Sequence, residues 1–174
     1  MIATLATIVF LGAMATAAVT DLTRYEIPNW ISLVIVAAFI VGAAADSAGF
    51  KDFGWHVAVG LAVLAAGFML FACHVFGGGD AKLLAAAALW FGPDDLARFI
   101  VYVAFVGGIL GLVILCLRRV PLPREWREKR WIHRLYSPDQ GMPYGIAIAI
   151  AAGLVYAPVL PILSLAAVTS RGLV

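Results

Sequence analysis

Long stretches without a charged side chain alternate with short polar segments along this chain. Five stretches of 19 to 31 residues contain no Asp, Glu, Lys or Arg: residues 2–20, 27–45, 53–79, 99–117 and 140–170. A helix that crosses a bilayer needs about 20 apolar residues at a rise of roughly 1.5 Å each. A sixth stretch, residues 83–93, is only 11 residues long. It is predicted either as a short spanning helix extended by its flanks or as a re-entrant element.

The composition narrows the class of protein. Of 174 residues, 64% are hydrophobic and 13% are charged, whereas a soluble domain is roughly 45–50% apolar and about 25% charged. A disordered chain, a soluble globule and a basic nucleic-acid-binding domain do not fit, and the net charge of +2 gives no reason to expect a nucleic-acid partner. The sequence predicts an all-α integral membrane protein: one domain over residues 1–174, a bundle of about six transmembrane helices in the lipid bilayer.

The positions of Lys and Arg predict an orientation in the membrane. With six spans, nine of the twelve basic residues fall on one side: Arg24, Lys82 and seven in the polar loop 118–139. That side is predicted to be cytoplasmic, because cytoplasmic loops are enriched in Lys and Arg. Both termini are then extracytoplasmic. The loop 118–139 is interpreted as a topology signal, and a docking surface for a partner or for anionic lipid is the alternative.

Two of the ten acidic residues stand at the ends of apolar stretches. Asp21 follows the first stretch, and Asp80 follows the third directly after Gly77-Gly78-Gly79. Because two spans separate them, they are expected on the same face of the membrane. An ionisable group at membrane depth is a candidate functional residue. The alternatives are a helix N-cap for Asp80 and a charge that marks the end of a span for Asp21.

Two carboxyl groups that meet in a fold can carry out acid–base chemistry together. Like charges a few ångströms apart do not both ionise easily, so one group keeps a proton as acid while the other activates water as base. The sequence does not assign the two roles. The three glycines before Asp80 would let an extended peptide backbone approach, or they form a flexible loop or helix break. No three residues have the spacing of metal ligands, so no metal and no other cofactor is expected.

Three blocks of this sequence resemble conserved blocks of the type IV prepilin peptidases. Asp21 begins the pattern Asp-x(5)-Ile-Pro-Asn, Gly77-Gly78-Gly79-Asp80 reads as the GxGD block, and Pro143-Tyr144-Gly145 is similar to the segment that opens the last helix of that family. The blocks occur in family order, and the resemblance covers nearly the whole chain. It implies that the two catalytic aspartates are Asp21 and Asp80.

The resemblance implies an aspartic endopeptidase of the bacterial inner membrane, with its active site facing the cytoplasm. Such enzymes remove short basic leaders from prepilins and pseudopilins, whose leader is followed by an apolar helix. The zinc-binding insert of the N-methylating members is not found, so methyltransferase activity is not expected. The compact form resembles the peptidases of tight-adherence (Flp-type) pilus systems. A proton-coupled carrier and a secretion-system scaffold are the alternative functions, although no internal repeat is seen and the centres of the spans are apolar.

Residues around the two aspartates are predicted to bind substrate or to support the site. Lys82 either orients Asp80 or contacts substrate, and the alternative is an anchor at the interface. Arg24 has a similar relation to Asp21, with pairing to a nearby acid as the alternative. The supporting set is Arg24, Pro28, Asn29, Gly77, Gly78, Gly79, Lys82, Pro143, Tyr144 and Gly145.

Two further groups of residues have open interpretations. His74 lies close before Asp80 and is interpreted either as a proton relay or as a packed or interfacial histidine. Gly107, Gly108 and Gly111 are small residues suited to close helix packing, either within the chain or in a homo-oligomer.

Overall fold

The computed structural model describes residues 2–45, 50–119, 130–137 and 141–156. These residues form helices α1 (Ile2–Arg24), α2 (Asn29–Ala45), α3 (Phe50–Ala72), α4 (Gly78–Arg118), α5 (Arg130–Tyr136) and α6 (Tyr144–Tyr156), and they contain no strand. The predicted all-α class is confirmed. Most of the loop 118–139 and the last part of the stretch 140–170 lie outside the described residues, so the placement of the termini stays a prediction.

Three of these helices are long and apolar enough to cross a membrane: α1, residues Phe53–Ala72 of α3, and α4. The helices α2 and α6 are equally apolar but shorter, with 17 and 13 described residues. Large apolar side chains on the outside of the bundle, such as Leu33, Phe68 and Leu112, are about two-thirds exposed. Such a surface is stable against lipid rather than water, and the protein is a membrane protein.

The helix α4 contains both the short apolar stretch 83–93 and the stretch 99–117. Its helical geometry breaks at Gly92, which has φ +58° and ψ −164°, directly before Pro93. The rings of Phe91 and Phe99, on either side of the break, lie 4.5 Å apart between centroids. The break therefore divides α4 into a first arm of roughly 20 Å and a longer second arm.

Contacts at the two ends of α4 show that its arms run in opposite directions. The first arm begins beside the C-terminal end of α1, because Asp80 lines a cavity together with Asp21. The second arm ends near the same place: Arg118 donates to the Leu135 carbonyl of α5, and the neighbouring Arg134 donates to the Arg24 carbonyl of α1. The chain thus turns back at Gly92. The sequence anticipated two segments here, and the structure joins them in one broken helix.

A histidine from α3 completes the turn in α4. Pro93 has no N–H, so it cannot form the helical hydrogen bond to the carbonyl of Leu89, four residues earlier. The Nδ1 of His56 lies 2.6 Å from that carbonyl oxygen and donates to it. A Cβ built on Gly92 would come within 2.6 Å of the His56 ring, so this position requires glycine for its space as well as for its positive φ.

The core lies between α1, α2, α4 and α6. Its largest fully buried side chains come from all four helices: Phe10, Met14, Ile31, Ile35, Leu83, Phe99 and Ile148. The helix α3 packs against the first arm of α4 from outside, at glycines. A Cβ on Gly67 would lie 3.0 Å from the Cβ of Ala81, so the two backbones approach closely.

The glycines of the second arm of α4 also serve packing within the chain. Gly107 lies against Tyr144, and Gly111 lies against Met142, whereas Gly108 faces open space. These contacts hold the start of α6 against α4 and fix the position of the Pro143-Tyr144-Gly145 segment. Whether Gly108 supports a homo-oligomer stays a prediction.

Candidate active site

Asp21 and Asp80 lie in one cavity at the end of the bundle. Asp21 is in the last turn of α1, and Asp80 is the third residue of α4. They line a cavity of about 460 Å³, the aspartate cavity, together with the connection between α1 and α2 and the glycines that begin α4. The cavity is lined by Asp21, Tyr25, Glu26, Ile27, Pro28, Asn29, Gly77, Gly78, Gly79 and Asp80. Chain topology alone predicted one face for the two carboxyl groups, and the fold places them around one space.

The start of α6 holds Asp21 in place. The Asp21 side chain is only 5% exposed, and its Oδ2 accepts a hydrogen bond of 2.7 Å from the backbone N–H of Gly145. A Cβ on Gly145 would lie 2.8 Å from that oxygen and 3.0 Å from the Cδ1 of Ile27. Pro143, fully buried just before it, anchors this approach. Glycine at 145 is therefore required by contact with the aspartate.

The glycines before Asp80 are also explained by close contact. The N-cap of α4 is Gly77, so the interpretation of Asp80 as the N-cap is wrong. Asp80 is the third helical residue, and its carboxyl group accepts a hydrogen bond from the backbone N–H of Gly77. Gly78 and Gly79 are helical, which also excludes a flexible loop at these two residues. A Cβ on Gly77 would lie 2.5 Å from Oδ2 of Asp80, and one on Gly79 would lie 3.2 Å from the Cβ of Ile27. Glycine at these two positions therefore lets the Asp80 carboxyl group and Ile27 pack closely against the start of α4.

Tyr25 is a cavity residue that the sequence reasoning missed. It follows the last residue of α1 with φ +58°, and its N–H donates to the carbonyl of Asp21 at 2.8 Å. Its hydroxyl oxygen is buried, and none of the described residues hydrogen-bonds to it. Burial raises the pKa of Tyr25 above its usual value, although Arg118 and Arg134 act in the opposite direction. The only feature of the sequence that pointed to Tyr25 is its place as an aromatic residue between Asp21 and the Ile-Pro-Asn segment.

Asn29 and Lys82 form a polar link at the edge of the cavity. The Nζ of Lys82 donates to Oδ1 of Asn29 at 2.9 Å and so joins the start of α2 to the first arm of α4. Asn29 lines the aspartate cavity, whereas Lys82 does not. The partner found for Lys82 is thus Asn29 rather than Asp80. Pro28 precedes the helix α2 and accepts a hydrogen bond from Ile31 N–H.

The other predicted residues lie outside this lining. The Arg24 side chain is exposed, and its carbonyl accepts from Arg134. The ring of Tyr144 packs against Phe76, with centroids 5.2 Å apart. His74 is exposed at the end of α3. Among the described residues, no three His, Cys, Asp or Glu side chains converge as metal ligands do.

A second, apolar space adjoins the aspartate cavity. This apolar groove, about 530 Å³, lies between α2, α3 and the first arm of α4. Its wall is apolar apart from Asn29, Ser32 and Lys82, which stand near the starts of α2 and α4. Asn29 lines both the groove and the aspartate cavity. The two spaces therefore meet at the Asn29–Lys82 link.

Two carboxyl groups around one space in a helical membrane protein are suited to acid–base hydrolysis. Residues 8–112 of the chain match the model of the Type IV leader peptidase family. This range includes both Asp21 and Asp80. The match covers more than half of the chain, so the chain belongs to the type IV leader peptidase family. No curated protein matches the chain, and no solved structure does.

Proposed function

We propose that this protein is an aspartic endopeptidase that removes short basic leader peptides from prepilins or pseudopilins at the cytoplasmic edge of the bacterial inner membrane. The observation that carries the proposal is the shared cavity of Asp21 and Asp80. Membership of the leader peptidase family supports it. The particular pilin, the scissile bond and the Flp-type assignment belong to the proposal. Methyl transfer is not part of it.

In the proposed reaction the two carboxyl groups hold one proton between them. One carboxylate accepts a proton from water as the water oxygen bonds to the carbonyl carbon of the scissile peptide. The other carboxyl group gives its proton to the carbonyl oxygen, which produces a neutral tetrahedral diol. The C–N bond then breaks as the amine nitrogen takes a proton from a carboxyl group and a diol hydroxyl returns its proton to a carboxylate. One water is consumed, and no covalent intermediate forms.

The geometry around the carboxyl groups fits this chemistry. The Gly145 N–H fixes Oδ2 of Asp21, which leaves Oδ1 as the oxygen available to water or substrate. Oδ1 of Asp80 is buried and has no hydrogen-bond partner among the described residues. A buried carboxyl oxygen without a partner is uncommon, and here it has a use as the group that binds water or a peptide. Gly77, Gly78 and Gly79 line the same cavity with backbone atoms alone.

The apolar groove is the proposed site of the substrate's apolar helix. It lies among helices that face the lipid, and it meets the aspartate cavity at Asn29. A helix in this groove would carry the residues before it, the leader junction, to Asp21 and Asp80. Gly60, Ala85 and Ala86 form part of the wall, and such small residues let a helix approach closely.

Co-expression with a tight-adherence-type prepilin tests the proposal. The wild type should shorten the pilin, and Asp21→Asn or Asp80→Asn should stop this while the protein still inserts in the membrane. Asp94→Asn is the matched control, because Asp94 is exposed beside the turn of α4, outside the lining of the aspartate cavity. A wild type that leaves several prepilins uncut would contradict the proposal and favour the carrier or the scaffold.

A further inference from the structure

Two buried side-chain atoms have no hydrogen-bond partner in the part of the chain that the structure describes: the hydroxyl oxygen of Tyr25 and Oδ1 of Asp80. Both residues line the aspartate cavity. Buried polar atoms in proteins are nearly always paired, so an exception calls for an explanation. One atom belongs to a donor and the other to a carboxyl group. A peptide carbonyl and a water molecule would satisfy this pair.

The backbone of Tyr25 gives an independent reason to look for a function. The position directly after a helix often has a positive φ, but glycine or asparagine usually occupies it. Tyr25 holds φ +58° there with a bulky side chain. Strained conformations of this kind persist where the surrounding structure requires them, and they cluster at functional sites. In this protein the left-handed conformation of Tyr25 ends α1 four residues after Asp21. The chain then follows the cavity wall to Pro28 and Asn29.

We infer that Tyr25 is a catalytic residue whose hydroxyl donates a hydrogen bond to the carbonyl oxygen of the scissile peptide. This inference rests on the proposed function. The hydroxyl keeps its proton throughout, while Oδ1 of Asp80 faces the attacking water or the carbonyl that is being protonated. A fixed donor at the oxygen that gains electron density stabilises the transition state more than the substrate, so it raises the rate of the chemical step.

The charges around Tyr25 are consistent with a donor. Arg118 and Arg134 act on it from α4 and α5, and Asp21 acts on it from α1. Burial has the largest effect, and it raises the pKa of the phenol. The hydroxyl therefore stays protonated at neutral pH, when the peptidase works in a cell.

The variant Tyr25→Phe isolates the hydroxyl, because it keeps the ring and the backbone conformation. We expect kcat for cleavage of a prepilin in lipid vesicles to fall by about 10- to 100-fold, with KM changed by less than about threefold. Tyr102→Phe is the matched control. Tyr102 lies on the second arm of α4 outside the cavity lining, and its hydroxyl accepts from Arg98 at 3.4 Å. This control should keep wild-type kcat within about twofold.

A kcat of Tyr25→Phe within twofold of the wild type would overturn the inference, and so would a loss confined to KM. Replacement of Tyr25 by 3,5-difluorotyrosine gives a second measurement if the Phe variant folds poorly. Fluorination lowers the pKa of a phenol, so the ratio of the variant's kcat to the wild-type kcat should fall as the pH rises, whereas a ratio that stays constant at every pH would refute the donor role. A wild type that cleaves no prepilin would overturn the proposed function, and the inference with it. A wild type that cleaves while Tyr25→Phe cleaves equally well would overturn the inference alone.

Discussion

The backbone N–H of Gly145 donates a 2.7 Å hydrogen bond to Oδ2 of Asp21, across 124 positions of sequence. This bond connects the start of α6 to the last turn of α1. It brings a Pro-Tyr-Gly segment that is far from either aspartate block in sequence into contact with Asp21. Of these three residues, glycine makes the direct contact, and the other two position it by packing.

Gly145→Ala should reduce cleavage strongly with little loss of folded protein. The new Cβ would lie 2.8 Å from Oδ2 of Asp21, so the carboxyl group must move. A displacement of about 1 Å in a catalytic group can lower a rate on the order of 100-fold, and we expect a loss of that size in kcat. Gly153→Ala, in the same helix with no atom within 4 Å of its Cβ, is the control and should cleave like the wild type. Equal activities of the two variants would refute the contact's importance.

His56→Ala should destabilise the fold. It removes the donor to the Leu89 carbonyl, which Pro93 cannot replace, and an unpaired buried carbonyl costs about 1–3 kcal/mol. His56→Asn should recover part of this, because its side-chain amide can donate from a similar position. Thermal unfolding in detergent measures the effect. Cys116→Ala, at an exposed position in the second arm of α4, should change stability by less than about 0.5 kcal/mol, and a similar loss in both variants would speak against the role of His56.

Lys82→Met should impair cleavage without unfolding the protein. It removes the 2.9 Å hydrogen bond from Lys82 to Asn29. The Asn29 side chain, which lines both the groove and the aspartate cavity, then loses this partner. Because the Lys82 side chain is exposed, we expect stability to change by about 0.5 kcal/mol or less. The value of kcat/KM should fall by about threefold to tenfold, which is the loss expected from one exposed hydrogen bond that contributes about 1 kcal/mol. Lys82→Arg keeps a donor and should recover activity; if it is as impaired as Lys82→Met, the link to Asn29 is not the reason.

The apolar groove predicts where substrate can be crosslinked. A photoreactive phenylalanine at Leu61, which lines the groove, should crosslink the apolar helix of a prepilin. The same group at Leu112, about two-thirds exposed on the second arm of α4, should crosslink mainly lipid. The Asp80→Asn background keeps substrate uncut, so binding is tested apart from cleavage. Equal substrate crosslinking from both positions would argue against the groove.

The sequence predicted the helical class, the common face of the two aspartates and most of the residues around them. Apolar stretches and chain topology suffice for these predictions. Whether a segment forms a spanning helix depends on its own sequence, and successive spans place the connecting loops on alternate sides of the membrane. The details of the cavity did not follow from the pattern. The contact of Gly145 with Asp21 and the Lys82–Asn29 bond depend on how distant helices pack, which one sequence does not specify.

The turn of α4 also depends on contacts that one sequence does not specify. A run of 11 apolar residues that ends at Gly92-Pro93 was recognised as a short element, but its continuity with the next span was not. Tyr25 was missed for a different reason. Its positive φ and its buried hydroxyl are properties of the folded backbone, and a tyrosine near the end of an apolar helix resembles an ordinary interfacial aromatic residue.

The measurement that tests the central claim most directly is the cleavage rate of a purified prepilin in lipid vesicles by the wild type, Asp21→Asn, Asp80→Asn and the double variant. If the two carboxyl groups act as one unit, each single variant should lose at least about 1,000-fold in kcat and the double variant should be no worse than either. Thermal unfolding checks that all four proteins are folded. A folded single variant that keeps activity within about tenfold of the wild type would contradict the two-aspartate mechanism.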